Sequence, residues 1–125
     1  DDLAGRIAAF LDGAEVRFAL EQVQLDLCPP FQRRVLLAEY GIPRGSVSTY
    51  GRIAAHLGVG GGARAVGNAL ATNPFPIVIP CHRAIRSDAT LGGYQGGLAM
   101  KRALLEQEGV TIDERDKVVS PRLCY

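Results

Sequence analysis

Apolar residues recur along this chain at two spacings. Leu3, Ile7, Phe10 and Leu11 share one helical face and the run stops at Asp12-Gly13, which predicts a short amphipathic helix over Leu3–Leu11. Over 15–27, apolar and polar residues partly alternate (Val16, Phe18, Leu20; Val23, Leu25, Leu27), the period of one or two short strands. Pro29-Pro30 breaks this pattern and marks the start of the main unit. Phe31, Val35, Leu36 and Tyr40 then form one face of a helix over 31–40, with Gly41 just past its end, where positive φ is tolerated. Ser48 and Thr49 offer capping hydroxyls to a helix over 50–57, whose stripe is Ile53, Ala54 and Leu57 and whose stop is Gly58. The glycine-rich turn 58–62 leads into a second short helix, Ala63–Ala71. Two short helices around a tight turn have the outline of a helix-turn-helix.

Prolines 74, 76 and 80 forbid a regular helix over 73–80, so that stretch is expected to run extended and deliver Cys81 into the core. A loop with four glycines, 87–97, precedes a helix over Leu98–Gln107 with Leu98, Leu104 and Leu105 facing inward. Residues 110–125 are mixed and read as a surface tail. The expected fold is α+β, mainly helical, with a helix-turn-helix at its centre.

The chain has 125 residues, enough for a single domain burying roughly two thirds of its unfolded surface. No apolar run approaches the roughly 18 to 20 residues that span a bilayer, and the chain opens on Asp1-Asp2 instead of a basic segment, so it reads as soluble and intracellular. It lacks an initiator Met, which leaves room for an earlier start. Three cysteines, Cys28, Cys81 and Cys124, with no Cys-x-x-Cys pair, suit reduced thiols; with only His56 and His82 beside them, neither a metal site nor a cofactor is expected. The net charge of +1 hides a gradient. Residues 1–30 carry six acids against two bases, and residues 31–109 carry nine bases against four acids. The middle of the chain is therefore where a phosphate-contacting surface would lie.

Ile79-Pro80-Cys81-His82-Arg83 carries the chemistry. A thiol is a useful nucleophile only as thiolate, and a neighbouring imidazole with the guanidiniums of Arg83 and Arg86 would lower its pKa. A lone buried cysteine is more often a small core residue, so its company decides the reading. That company is Phe31-Gln32-x-x-Val35, Ile42-Pro43-x-Gly45, Thr49-Tyr50-Gly51-x-Ile53-Ala54, Arg64-Ala65-Val66-Gly67, Asn73-Pro74, Gly92-Gly93-Tyr94-x-x-Gly97 and Lys101-x-x-Leu104-Leu105-x-x-Glu108. In this order and spacing, from about residue 31 to 109, the chain resembles the O6-alkylguanine-DNA alkyltransferases.

The resemblance implies a winged-helix-like DNA-binding domain acting as a single-turnover repair protein: Cys81 takes the alkyl group from O6 of guanine in double-stranded DNA and keeps it. It implies that His82 deprotonates Cys81 through a bound water, that Glu108 orients His82, and that Asn73 fixes the turn. Tyr50 would donate to the leaving base, the Gln95 backbone N–H would reach O6, Tyr94 would wall the pocket, and the carbonyls of Cys81 and Ala84 would accept from the exocyclic amine. Arg64 would fill the stack vacated by the everted nucleotide, with Ala63, Ala65, Gly67 and Ala71 allowing close approach in the minor groove. Thr49 and Arg83 complete the DNA-facing set. A monomer is implied, in the cytoplasm, or in the nucleus of a eukaryote.

The match departs in places. Ala84 stands where the family commonly has Val, and 87–90 lacks a glycine common before the Gly-Gly-Tyr turn. Residues 1–28 resemble only the last helix and strands of the family's N-terminal domain, with 29–125 as the alkyltransferase domain, so the chain is a naturally short member or a trimmed one. The alternative function is an alkyltransferase-like module that flips the lesion without transfer; its reactive cysteine is replaced, often by Trp, whereas Cys81 is present here and the chain has no Trp. A plain winged-helix transcription factor would leave the 80–83 run and Glu108 unexplained, and a thiol hydrolase would need an oxyanion site that the sequence does not display.

Overall fold

Among the residues that the computed structural model describes, which are 3–14, 16, 18, 19 and 24–125, the order of elements is α1 (Leu3–Leu11), a 3-10 turn at Leu25–Leu27, α2 (Pro30–Tyr40), β1 (Ser48–Thr49), α3 (Tyr50–His56), α4 (Ala63–Ala71), a 3-10 turn at Cys81–Arg83, β2 (Ala84–Ile85) and α5 (Leu98–Gln107). β1 and β2 pair in parallel, Ser48 opposite Ala84 and Thr49 opposite Ile85. The architecture is mainly helical with one small sheet, and the sheet sits where two chemically informative stretches, 48–50 and 81–85, meet.

Local chemistry accounts for the helix ends. Pro30 opens α2 in the first turn, where a missing N–H costs nothing. The Thr49 hydroxyl oxygen accepts from the Arg52 N–H at 3.1 Å and caps α3. The α3–α4 turn needs its glycines: Gly58 and Gly61 hold φ of +76° and +72°, and a Cβ at Gly62 would lie 2.6 Å from Val59 Cγ1.

Three apolar clusters hold these elements. The largest joins α2, α3 and α4 through Val35, Leu36, Ile53, Val66 and Leu70, and reaches Ile79, Cys81 and Ala84. A second gathers Val47, Ile85, Leu91, Leu105, Ile112 and Val118. The third packs α1 against the segment that precedes the Cys81–Arg83 turn and against α5, through Phe10, Phe18, Ile77, Val78 and Leu104.

Several expectations are corrected. Leu25 and Leu27 lie in a 3-10 turn, not a strand; Leu20 and Val23 fall outside the described residues. Gly41 keeps a right-handed φ of −75°, and its lack of a side chain serves space instead, since a Cβ there would be 2.8 Å from Tyr125 Oη. Residues 73–80 fold into a compact turn, with the Ile79 N–H donating to Phe75 O at 2.9 Å and Ile77 at φ +76°. Leu98 is half exposed at the start of α5, whereas Leu104 and Leu105 are buried. Residues 110–125 are docked: Val47 donates to Arg122 O at 2.9 Å, Cys124 donates to Val47 O at 2.8 Å, and Ile112 and Val118 are buried. No helix among the described residues is long and apolar enough to cross a membrane.

Candidate active site

Cys81 opens the 3-10 turn, so Cys81, His82 and Arg83 turn within a single loop of backbone; the extended geometry expected from the prolines does not hold here. The thiol is 5% exposed and lines an open cavity of about 630 Å³ shared with Tyr50, Arg64, Gly67, Tyr94 and Gln95. Burial pushes the Cys81 thiol up, opposed by a hydrogen bond from the Asn73 side chain. Arg83 does not help to ionise it as expected. Its guanidinium donates to Glu108 Oε1 at 2.9 Å, Glu108 Oε2 at 2.6 Å and Ile42 O at 2.6 Å, so it is held inside the protein.

A protonated resting thiol needs a base, and the next residue has the right form. His82 is fully buried, its Nε2 3.1 Å from Glu108 Oε2. Burial raises the Glu108 carboxyl, but hydrogen bonds from His82 and Arg83 outweigh it and hold the group at about 2. An ionised carboxylate only accepts, so His82 Nε2 carries the hydrogen and Nδ1 keeps its lone pair. Burial also drives the His82 pKa down against the pull of Glu108, which favours neutral imidazole, and Nδ1 is buried with no hydrogen-bond partner among the described residues. The arrangement is a neutral base with its free nitrogen available and its other nitrogen anchored.

Asn73 ties the preceding turn from both ends of its amide: Nδ2 donates to Ile79 O at 3.2 Å and Oδ1 accepts from the Phe75 N–H at 2.8 Å. Tyr94 stands edge-on to His82 with ring centroids 6.5 Å apart, and its hydroxyl meets the Cys81 thiol; burial and that thiol push its pKa up. The Gln95 side chain donates to Ala71 O at 2.8 Å and Asn73 O at 3.0 Å, fastening the 92–97 loop to the end of α4. The Cys81 carbonyl accepts from the Ala84 N–H, and the Ala84 carbonyl accepts from Lys101 Nζ at 2.6 Å, so each offers a base only its second lone pair.

On the outer side, α4 buries Val66, Ala69 and Leu70 and turns Arg64 and Ala65 to solvent, with Gly67 half-buried above Tyr50. Its exposed face carries Arg64, Ala65, Asn68 and Ala71. Thr49 is buried with its oxygen engaged in the α3 cap, so it sits behind this face.

Residues 30–110 match the DNA-binding domain of 6-O-methylguanine DNA methyltransferase. The chain belongs to this family. It is similar to the methylated-DNA–protein-cysteine methyltransferase of Methanothermobacter thermautotrophicus, 51% identical over 111 residues that cover 89% of this chain and 62% of that protein. The Salmonella typhimurium protein of the same name is 54% identical over 80 residues, 64% of this chain and 47% of that one. Among solved structures, Mycobacterium tuberculosis OGT in complex with DNA aligns with a TM-score of 0.78 at 42% identity, over 87% of this chain and 65% of that one. S. pombe Atl1 in complex with DNA containing O6-carboxymethylguanine aligns at a TM-score of 0.60 and 38% identity, over 66% and 79%. The chain thus spans about half to two thirds of the curated methyltransferases named here.

Two residues of this family member's site escape the sequence reading. Lys101 lies fully buried with its ammonium among the carbonyls of Ala84, Leu91 and Gly93, 3.4 Å from Tyr50 Oη. Glu39 is fully buried on α2, with no hydrogen-bond partner for either carboxyl oxygen among the described residues. Helical spacing holds the signal: Lys101 is three and four residues before Leu104 and Leu105, and Glu39 is three and four after Leu36 and Val35.

Proposed function

We propose that this chain repairs DNA by direct reversal, moving the alkyl group of O6-alkylguanine irreversibly onto its own Cys81. The observation that carries the reading is the pairing of a cavity-lining thiol with a neutral, carboxylate-anchored imidazole one residue away. His82 Nδ1 takes the thiol proton, through a water. The thiolate attacks the alkyl carbon, the sulfur–carbon bond forms as the carbon–O6 bond breaks, and guanine leaves with the electron pair. Tyr50 donates to the departing base, which ends protonated by the equivalent of the proton lost from Cys81. The product is a thioether, so each molecule acts once.

Access to O6 requires the nucleotide to leave the stack. In this reading α3 and α4 serve as the helix-turn-helix of a winged-helix-like domain, with α4 in the minor groove and Arg64 in the vacated stack. Residues 29–125 form the alkyltransferase domain, residues 1–28 are the end of an N-terminal one, and a monomer acts on double-stranded DNA inside the cell. The Gln95 backbone N–H reaches O6, Tyr94 walls the alkyl group, and the Cys81 and Ala84 carbonyls read the exocyclic amine.

The test is to incubate the protein with a duplex containing O6-methylguanine and weigh both partners. Transfer adds the mass of one methylene to the protein and removes it from the DNA, and Cys81→Ala abolishes the change. A module that binds without transfer leaves both masses as they were, which would refute the repair reading.

A further inference from the structure

Lys101 is the largest fully buried side chain among the described residues, and no step above uses it. Its Nζ donates to Ala84 O at 2.6 Å, to Leu91 O and to Gly93 O at 3.2 Å, and lies 3.4 Å from Tyr50 Oη. An ammonium has three N–H donors and no lone pair, and its four oxygen neighbours are three carbonyls and Tyr50 Oη, so one N–H is shared. With no lone pair on Lys101 to receive it, the Tyr50 proton must point elsewhere. Gly92 closes one flank, since a Cβ built there would be 2.7 Å from Tyr50 Oη. The open side is the cavity that Tyr50 shares with Cys81. A neutral amine would reverse the arrangement, because its lone pair would draw the tyrosine proton out of the cavity.

Glu39 is the second buried group the chemistry leaves unused. Burial pushes its carboxyl well above the usual range, and Lys101, ahead of Arg83, is the charge that most opposes this. Burial likewise brings Lys101 down to about 8, and Glu39 is the foremost charge holding it up. The groups facing Lys101 are Glu39 from α2, Tyr50 from α3, Cys81 from the catalytic turn and Arg86 from the segment after β2; Cys81 supports the ammonium and Arg86 opposes it.

We infer that Lys101 is a positioning residue for the leaving guanine: its ammonium holds three carbonyls of the pocket and, having no lone pair to offer Tyr50, leaves the Tyr50 O–H directed into the cavity. The inference rests on the alkyl-transfer reading and deepens it.

The experiment measures single-turnover methyl transfer and DNA affinity for the wild type, Tyr50→Phe, Lys101→Met and the double variant. Lys101→Met is expected to slow transfer by roughly tenfold or more with DNA affinity within about twofold of wild type. On the Tyr50→Phe background the same change is expected to cost less than about twofold, because it acts through the hydroxyl already removed. Equal slowing on both backgrounds overturns the inference. Where Lys101→Met does not fold, the pH profile serves instead: wild-type transfer should fall as pH rises through about 8, where Lys101 loses its proton, and Tyr50→Phe should lack that fall, whereas an equal fall in both overturns the inference. A wild type that gains no methyl overturns the repair reading as well, whereas normal transfer with additive Lys101 and Tyr50 effects overturns this inference alone.

Discussion

The Phe10 ring of α1 lies 6.1 Å, centroid to centroid, from the His82 imidazole and is tilted 53° to it. Phe10 also meets Phe18 edge-on at 6.0 Å, and Gln107 at the end of α5 donates to Leu11 O at 2.9 Å. The N-terminal helix is thus part of the wall that keeps bulk solvent from His82 and favours its neutral form.

Phe10→Ala should cost about 3 kcal/mol, because a buried ring is lost and the site cannot fully collapse. Chemical denaturation measures this directly. Transfer should slow several-fold under conditions where the variant is still folded, since water admitted beside His82 raises its pKa. An unchanged rate would show that α1 supports the fold without shaping the site.

Glu108 makes stability depend on pH. Its folded pKa of about 2 lies below the ordinary 4.5, so the stability it contributes is fully present above 4.5 and is lost as pH falls from there toward 2. The group is buried, and the gap corresponds to about 3 kcal/mol. His82 acts in the same direction at higher pH: its folded pKa lies below 6.5, so its contribution begins to fade as pH drops beneath that value. Urea titrations at stepped pH should show two phases of acid weakening, and Glu108→Gln should erase the lower one. The same variant should slow transfer by roughly a hundredfold or more, because it loses the anchor of the base.

Gly92 sits at φ +75° with Tyr50 Oη in the space a Cβ would fill. Gly92→Ala is expected to destabilise the protein by about 1–3 kcal/mol from backbone strain. It should also depress transfer more than DNA binding, since it displaces the hydroxyl and not the α4 surface. Kinetics and fluorescence anisotropy on one preparation separate the two effects.

The helices were largely legible in the sequence. The spans Leu3–Leu11, Ala63–Ala71 and Leu98–Gln107 follow from apolar spacing and flanking glycines, because amphipathic periodicity is a local property. The pairing of His82 with Glu108 came from the family resemblance and not from any local pattern. What local pattern could not reveal depends on distant partners. Residues 110–125 look like a tail until Val47 supplies the backbone groups that they bond. Arg83 looks like a free cation until Glu108 and Ile42 close around it. Lys101 stands in its motif without a legible role, because the carbonyls that solvate it come from β2 and an irregular glycine loop.

Arg64 is exposed at the first turn of α4, beside the cavity mouth. If it fills the stack behind an everted base, Arg64→Ala should slow transfer from duplex DNA by roughly tenfold or more while leaving reaction with the free modified nucleobase unchanged. Affinity for duplex should fall with rising salt, as phosphate contacts release counterions. Equal slowing with both substrates would place Arg64 in the chemistry and not in base eversion.

The most direct measurement follows the alkyl group itself. A duplex carrying O6-trideuteromethylguanine is reacted with the protein, and the digested protein is sequenced by mass spectrometry. The label should appear once, on the sulfur of Cys81, with Cys28 and Cys124 unmodified as internal controls. Label on another residue, or none on the protein while the lesion stays bound, would contradict the assignment of Cys81 as the acceptor.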